Sequence, residues 1–136
     1  MGMNFYGMNF YLHEQSPCPT CGREYDPLHI GKSSAGWCFA LHVDPDAGIH
    51  DLPDWEARWA KPGALIQDEY GRPITPEDMR LIIMARARTR GSGMSEDWYR
   101  VNDATPGPGG LARNKLGRHC IGHGDGTWDL ITGEFR

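Results

Sequence analysis

The sequence has no long apolar run and few cysteines. None of its hydrophobic stretches approaches the roughly 20 residues that a membrane-spanning helix needs. The first residues lack the basic segment and small-residue cleavage site of a secretory signal. We therefore expect a cytoplasmic protein without membrane contacts, whose four cysteines are thiols or metal ligands rather than disulfides.

The motifs of several common enzyme classes are also missing. The sequence has no nucleophile elbow, no phosphate-binding glycine loop and no His-Glu-x-x-His helix. Segment 29–34 places a lysine and two serines after a glycine, but without a second glycine we interpret it as a hairpin turn. No catalytic residue is assigned, and the sequence favours a protein that is not an enzyme.

Glycine and proline, in contrast, are abundant. Eighteen glycines and ten prolines in 136 residues predict short elements, many turns and a core that needs a staple. The length fits one domain. The motif Met-Asn-Phe-Tyr occurs at 3–6 and again at 8–11, so residues 1–12 are interpreted as an N-terminal extension or a first strand. Residues 13–136 are predicted to form a single zinc-stabilised domain.

The pattern of apolar residues predicts a mixed fold. Apolar and other residues alternate over 37–43, which predicts a hairpin with 28–33, and a second hairpin is predicted over 65–75. Helices are predicted to begin at Asp51 and at Thr75, each a capping residue followed by proline and acids. The predicted class is α+β: short antiparallel β-hairpins with two helices packed on them, stapled by a zinc knuckle.

The strongest chemical motif is Cys18-Pro-Thr-Cys21-Gly. Two cysteines at this spacing on a turn can bind one tetrahedral Zn²⁺ ion, which needs two more ligands. His29 and His42 are predicted to supply them, because the hairpin can bring both rings to one face. Cys38 is the alternative to either histidine, but it lies four residues from His42, roughly 13 Å along an extended strand.

A second group of donors follows at His119, Cys120 and His123. These residues could add ligands to the first site, form a second metal site or face a phosphate. The two histidines with Asp125 and Asp129 could also build a metal-dependent nuclease centre.

Charge is distributed unevenly along the chain. Residues 1–79 hold 12 acidic and 5 basic side chains, whereas 80–119 hold 8 basic and 3 acidic. The basic region could contact nucleic acid or a partner protein, with Trp98 or Tyr99 stacking on bases. The candidate contact residues are Arg86, Arg88, Arg90, Arg113, Lys115 and Arg118.

Five tryptophans are many for a chain of this length. Each could fill the core, or it could anchor a protein partner, as aromatic side chains often do. The candidate anchors are Trp55, Trp59, Trp98 and Trp128.

Several separated motifs resemble a group of small phage- and prophage-encoded proteins. They are Cys-Pro-Thr-Cys-Gly-Arg (18–23), Leu-His-Ile-Gly-Lys-Ser-Ser-Ala-Gly-Trp (28–37), Asp-Glu-Tyr-Gly-Arg (68–72), Gly-Gly-Leu (109–111) and Gly-Thr-Trp-Asp-Leu-Ile (126–131). The resemblance implies a source and no mechanism. By analogy with phage accessory proteins, we expect a protein in the host cytoplasm that binds a host macromolecule, with a host protein as the expected partner, and that could inhibit host defence. The alternative is nucleic-acid binding or metal-dependent nuclease activity through residues 113–129.

Overall fold

The computed structural model describes residues 7–15, 19–22, 26–85 and 94–135, and these residues form a mixed α+β fold with a seven-stranded sheet. The strands of this sheet are β1 (Met8–His13), β2 (Leu28–Ser33), β3 (Ala40–His42), β4 (Leu65–Asp68), β5 (Pro73–Ile74), β8 (Cys120–His123) and β9 (Asp129–Ile131). Their order across the sheet is β5-β4-β1-β2-β3-β9-β8. Neighbouring strands are antiparallel except β3 and β9, which are parallel.

Three α-helices lie in the described part of the chain: α1 (Leu52–Trp59), α2 (Pro76–Met84) and α3 (Glu96–Val101). A short two-stranded sheet, β6 (Ala104–Pro106) with β7 (Ala112–Asn114), follows α3. Single turns of 3-10 helix cover Pro45–Ala47, Pro108–Gly110 and Gly117–His119. None of the helices described is long and apolar enough to cross a membrane.

One face of the large sheet, here called the core face, packs against α1 and α2. Phe10, Ile30 and Leu41 extend from adjacent strands into this core, where the buried ring of Trp55 from α1 joins them. Both of these helices, α1 and α2, begin where the sequence predicts. Asp51 accepts a hydrogen bond from the backbone N–H of Leu52, and Thr75 caps the start of α2.

The opposite face, here called the polar face, carries two histidines, a lysine and an aspartate. A bulge between β1 and β2 places His29 opposite Tyr11 and Lys32 opposite Asn9. His29 and Lys32 therefore lie on the same face of the sheet although they are three residues apart in sequence. The register then continues this face across the neighbouring strands. Its members are Asn9, Tyr11, His29, Lys32, Ala40, His42, Asp129 and Ile131.

Gly31 shows how tightly the sheet is built beside this bulge. A Cβ atom at this position would collide with the carbonyl oxygen of Ala40 and the ring of Phe39. Only glycine fits there, because a side chain would displace β3 from β2.

The predicted α+β class, both hairpins and both helix starts are confirmed. The strand predicted over 37–43 is shorter, because Cys38 donates its backbone N–H to Ala112 before β3 begins at Ala40. Met8–His13 is an interior strand of the sheet, between β2 and β4.

Candidate functional site

A cleft of about 420 Å³ lies on the polar face. Its volume is within the range of small-molecule sites. Lys32 enters it from β2, Asn114 from β7, and Phe135 follows β9. The lining residues are Lys32, Ser34, Ala35, Trp37, Cys38, Ala40, Asn114, Leu116, Ile131 and Phe135. They include one cation and no acid.

An aromatic cluster extends one wall of the cleft. The ring of Trp37 contacts that of Trp98 on α3, with centroids 5.2 Å apart. Tyr99 meets Trp98 edge-on at 5.3 Å. All three rings are only partly buried, so flat apolar surface continues outward from the cleft.

Beside the cleft, Asp129 is the centre of a buried polar cluster. Its side chain has no exposed surface. Arg113 donates its Nε–H to Oδ1 at 2.8 Å, and the backbone N–H of Asn114 donates to Oδ2 at 2.9 Å. The Nδ1 atom of His123 lies 3.0 Å from Oδ1. These partners stabilise a carboxylate that would otherwise be costly to bury.

Of the metal-dependent nuclease centre predicted from His119, His123, Asp125 and Asp129, this cluster brings His123 and Asp129 together, and the centre as a whole stays a prediction. Both oxygens of Asp129 already accept hydrogen bonds from Arg113 and Asn114. Over the described ranges, no group of three or more His, Cys, Asp or Glu residues is arranged to hold a metal ion.

Two thiols near this cluster stay protonated at neutral pH. Burial, reinforced by the charge of Asp129, raises the pKa of Cys38 to about 11. Burial likewise raises the pKa of Cys120, whose Sγ lies 3.4 Å from the carbonyl oxygen of Asn114. Neither thiol has the low pKa of a nucleophilic cysteine.

The histidine pair predicted to bind zinc does meet on the polar face. The ring centroids of His29 and His42 are 5.5 Å apart, and Phe135 packs against both rings. Nδ1 of His42 lies 3.1 Å from the carbonyl oxygen of His29, and Nε2 of His29 lies 2.9 Å from Oδ1 of Asn9. Both partners are acceptors, so each neutral ring carries its lone pair on the other nitrogen.

The cysteine half of the predicted zinc site is only partly described. Cys21 is an exposed free thiol on a turn, and Cys18 lies outside the described residues. Cys38, the alternative ligand, is buried in the cleft near Asp129 and Arg113. The set of Cys18, Cys21, His29 and His42 therefore stays a prediction.

The predicted basic contact residues divide into three groups. Arg113 points inward to Asp129, while Lys115 and Arg118 are exposed on the segment that carries the cleft residue Leu116. Arg86, Arg88 and Arg90 lie outside the described residues.

The tryptophans divide between core and surface. Trp55, Trp59 and Trp128 are buried in the core, which supports the core-filling interpretation for them, whereas Trp98 stays partly exposed on α3. Sequence reasoning missed α3, although Ser95 followed by two acids is a typical helix start, and Ser95 does accept the N–H of Trp98.

Sequence reasoning also missed the β6–β7 hairpin, whose two strands are joined by glycine-rich residues.

Comparisons with protein-family models, with curated proteins and with solved structures found no match for this chain.

Proposed function

We propose that this chain is a small phage-type accessory protein that binds single-stranded nucleic acid of its host in the cleft of the polar face. The observation that carries the proposal is the composition of that cleft. It combines a lysine with two aromatic residues and has no acidic lining residue, in a chain whose net charge is −4. Proteins hold single strands in a positively charged groove whose aromatic side chains stack on the bases.

The positive charges near the cleft favour binding of a phosphate backbone. Lys32 lies in the cleft, and the exposed side chains of Lys115 and Arg118 flank Leu116 in sequence. The nearby Asp129 is paired with Arg113, so its negative charge is balanced. The raised pKa of Cys38 keeps this lining thiol neutral. Lys32 in the cleft, and the exposed Lys115 and Arg118 near its lining residues in sequence, are the cations available to phosphates.

The aromatic residues in and beside the cleft favour stacking of nucleic-acid bases. Trp37 and Phe135 line the cleft, and Trp98 continues the wall. Each stacked base contributes about 1–3 kcal/mol to binding. A protein partner has less support, because three of its four candidate tryptophan anchors are buried in the core.

Fluorescence anisotropy with labelled 12-nucleotide DNA and RNA at low salt tests this function. We expect binding that weakens as salt rises, and Lys32→Ala should weaken it at least about tenfold, as for other charged hydrogen bonds. Trp37→Ala should also weaken it about tenfold. Lys61→Ala is the matched control, because Lys61 is an exposed lysine that follows α1. Absence of binding at low salt, or equal binding by the two lysine variants, would disprove the proposal.

We also propose that one structural Zn²⁺ ion staples the fold through Cys18, Cys21, His29 and His42. The hydrogen bonds of the histidine pair support this assignment. A zinc-bound histidine typically donates its other ring N–H to a carbonyl or amide oxygen. His42 has such a partner in the carbonyl of His29, and His29 has one in Asn9.

Metal analysis of the purified protein tests the zinc proposal. We expect one zinc ion per chain, lost in Cys18→Ser and in His42→Ala together with most of the thermal stability. His50→Ala, at an exposed histidine beside α1, should keep the metal. Wild-type protein that melts cooperatively without zinc would contradict the assignment.

A further inference from the structure

The His123–Asp129 pair has the form of an oriented general base. The carboxylate is fully buried and held by Arg113 and Asn114, so it cannot turn away from the ring. Since Asp129 accepts, Nδ1 of His123 donates, and the lone pair of the neutral ring lies on Nε2. The His123 side chain is 48% exposed, so this ring remains accessible to a ligand.

A second pair, His50–Asp54, shows what a surface contact of the same type looks like. Its ring and carboxylate are 3.2 Å apart, but their side chains are 65% and 42% exposed. Among the described residues, no arginine forms an ion pair with Asp54. The carboxylate of this pair is therefore open to solvent, unlike the buried carboxylate that orients His123.

His123 also lies close to the cleft. Asn114 lines the cleft and holds the same carboxylate as His123. Ala40 in the cleft is the register partner of Asp129, which is the register partner of His123. Two strand spacings, roughly 10 Å, thus separate Ala40 from His123. A strand with one base in the cleft can place a neighbouring phosphodiester at His123.

We propose that His123 is the catalytic base of a metal-independent RNA cleavage at this site, with Asp129 as its positioning residue. The inference rests on the proposed binding of single strands. RNA carries its own nucleophile in the 2′-OH, so neither a reactive thiol nor an activated water is needed. Both thiols near the site are protonated, which leaves the imidazole as the reactive group.

The step balances without an added reactant. Nε2 of His123 takes the proton of the 2′-OH, and the 2′-oxygen forms a bond to the adjacent phosphorus. The bond from phosphorus to the 5′-oxygen breaks, and water supplies the proton of the new 5′-OH. The resulting hydroxide recovers the proton from His123. The products are a 2′,3′-cyclic phosphate and a 5′-hydroxyl end.

The test uses the full chain with labelled RNA, DNA and 2′-O-methyl RNA of one sequence, in buffer freed of divalent ions by a chelating resin. We expect all three to bind and only RNA to be cut, leaving cyclic phosphate ends. His123→Ala should lower the cleavage rate about 10²- to 10⁴-fold while binding changes less than twofold, and added imidazole should restore part of the rate. His50→Ala should cut at the wild-type rate.

Each other outcome overturns the inference in a distinct way. RNA that binds but is not cut removes the catalytic role and leaves the binding function standing. RNA that neither binds nor is cut removes both. Cleavage that persists unchanged in His123→Ala excludes His123 as the base.

Discussion

The two faces of the large sheet use different chemistry for different ends. The core face buries apolar side chains such as Phe10 and Leu41 against two helices, and Trp55 of α1 packs onto it. The polar face gathers two histidines, a lysine and a buried aspartate, and a cleft opens on it. The first arrangement holds the fold together, and the second presents chemistry to a ligand. The comparison predicts that substitutions on the two faces separate stability from binding.

The largest expected effect is on the core face. Trp55→Ala removes a fully buried ring that also donates its Nε1–H to the carbonyl oxygen of His42 at 2.8 Å. We expect a loss of about 3–5 kcal/mol in the free energy of unfolding, measured by urea denaturation. Trp98→Ala is the control and should cost clearly less, because that ring is partly exposed. Equal losses would break the comparison.

Asp129 is the polar-face residue that should behave like a core residue. Asp129→Ala leaves the mostly buried guanidinium of Arg113 without its carboxylate, and we expect a loss of roughly 3 kcal/mol in the same measurement. The control Asp54→Ala removes the half-exposed carboxylate beside His50 at the start of α1 and should cost clearly less. A stable Asp129→Ala protein would show that the buried cluster adds nothing to the fold.

The Cys38 thiol should make stability depend on pH in the alkaline range. Its folded pKa of about 11 exceeds the ordinary value of 9.0, so the folded state holds the proton more tightly. The stabilisation is complete below pH 9 and is lost as the pH rises through 11, by roughly 2–3 kcal/mol. Urea denaturation between pH 8 and 11 measures this decline. Cys38→Ala should show a smaller decline, and an identical curve would contradict the shift.

The smallest expected change in stability is at Lys32. Its side chain lies in the cleft rather than in the core, so Lys32→Ala should alter the free energy of unfolding by less than about 0.5 kcal/mol. The same variant is expected to lose nucleic-acid binding. A variant that unfolds would instead show that Lys32 serves the fold, and the separation between the faces would fail there.

Local sequence signals predicted the core face well. Alternation over Phe39, Leu41 and Val43, and the caps at Asp51 and Thr75, are short-range features that tertiary packing reinforces. The polar face was less predictable. Its cluster joins Arg113, His123 and Asp129 from three strands, and no local spacing predicts that one carboxylate binds both other side chains.

The histidine pair falls between these cases. The hairpin pattern predicted that His29 and His42 would converge, and they do. The bulge that places Lys32 on the same face as His29 leaves no local signal, because it depends on the register with β1. Sequence reasoning therefore found the pair and missed the cleft beside it.

The parallel pairing of β3 with β9 has a consequence for how the molecule assembles. Strands β1 to β5 and helices α1 and α2 come from one continuous segment of the chain. The core between this part of the sheet and the two helices can therefore form early in folding. The cleft forms later, because it needs β7, β9 and Phe135. Contacts between residues that are distant in sequence form slowly during folding. During synthesis, the growing chain would expose an unpaired β3 edge, a site for association with other chains until β9 arrives.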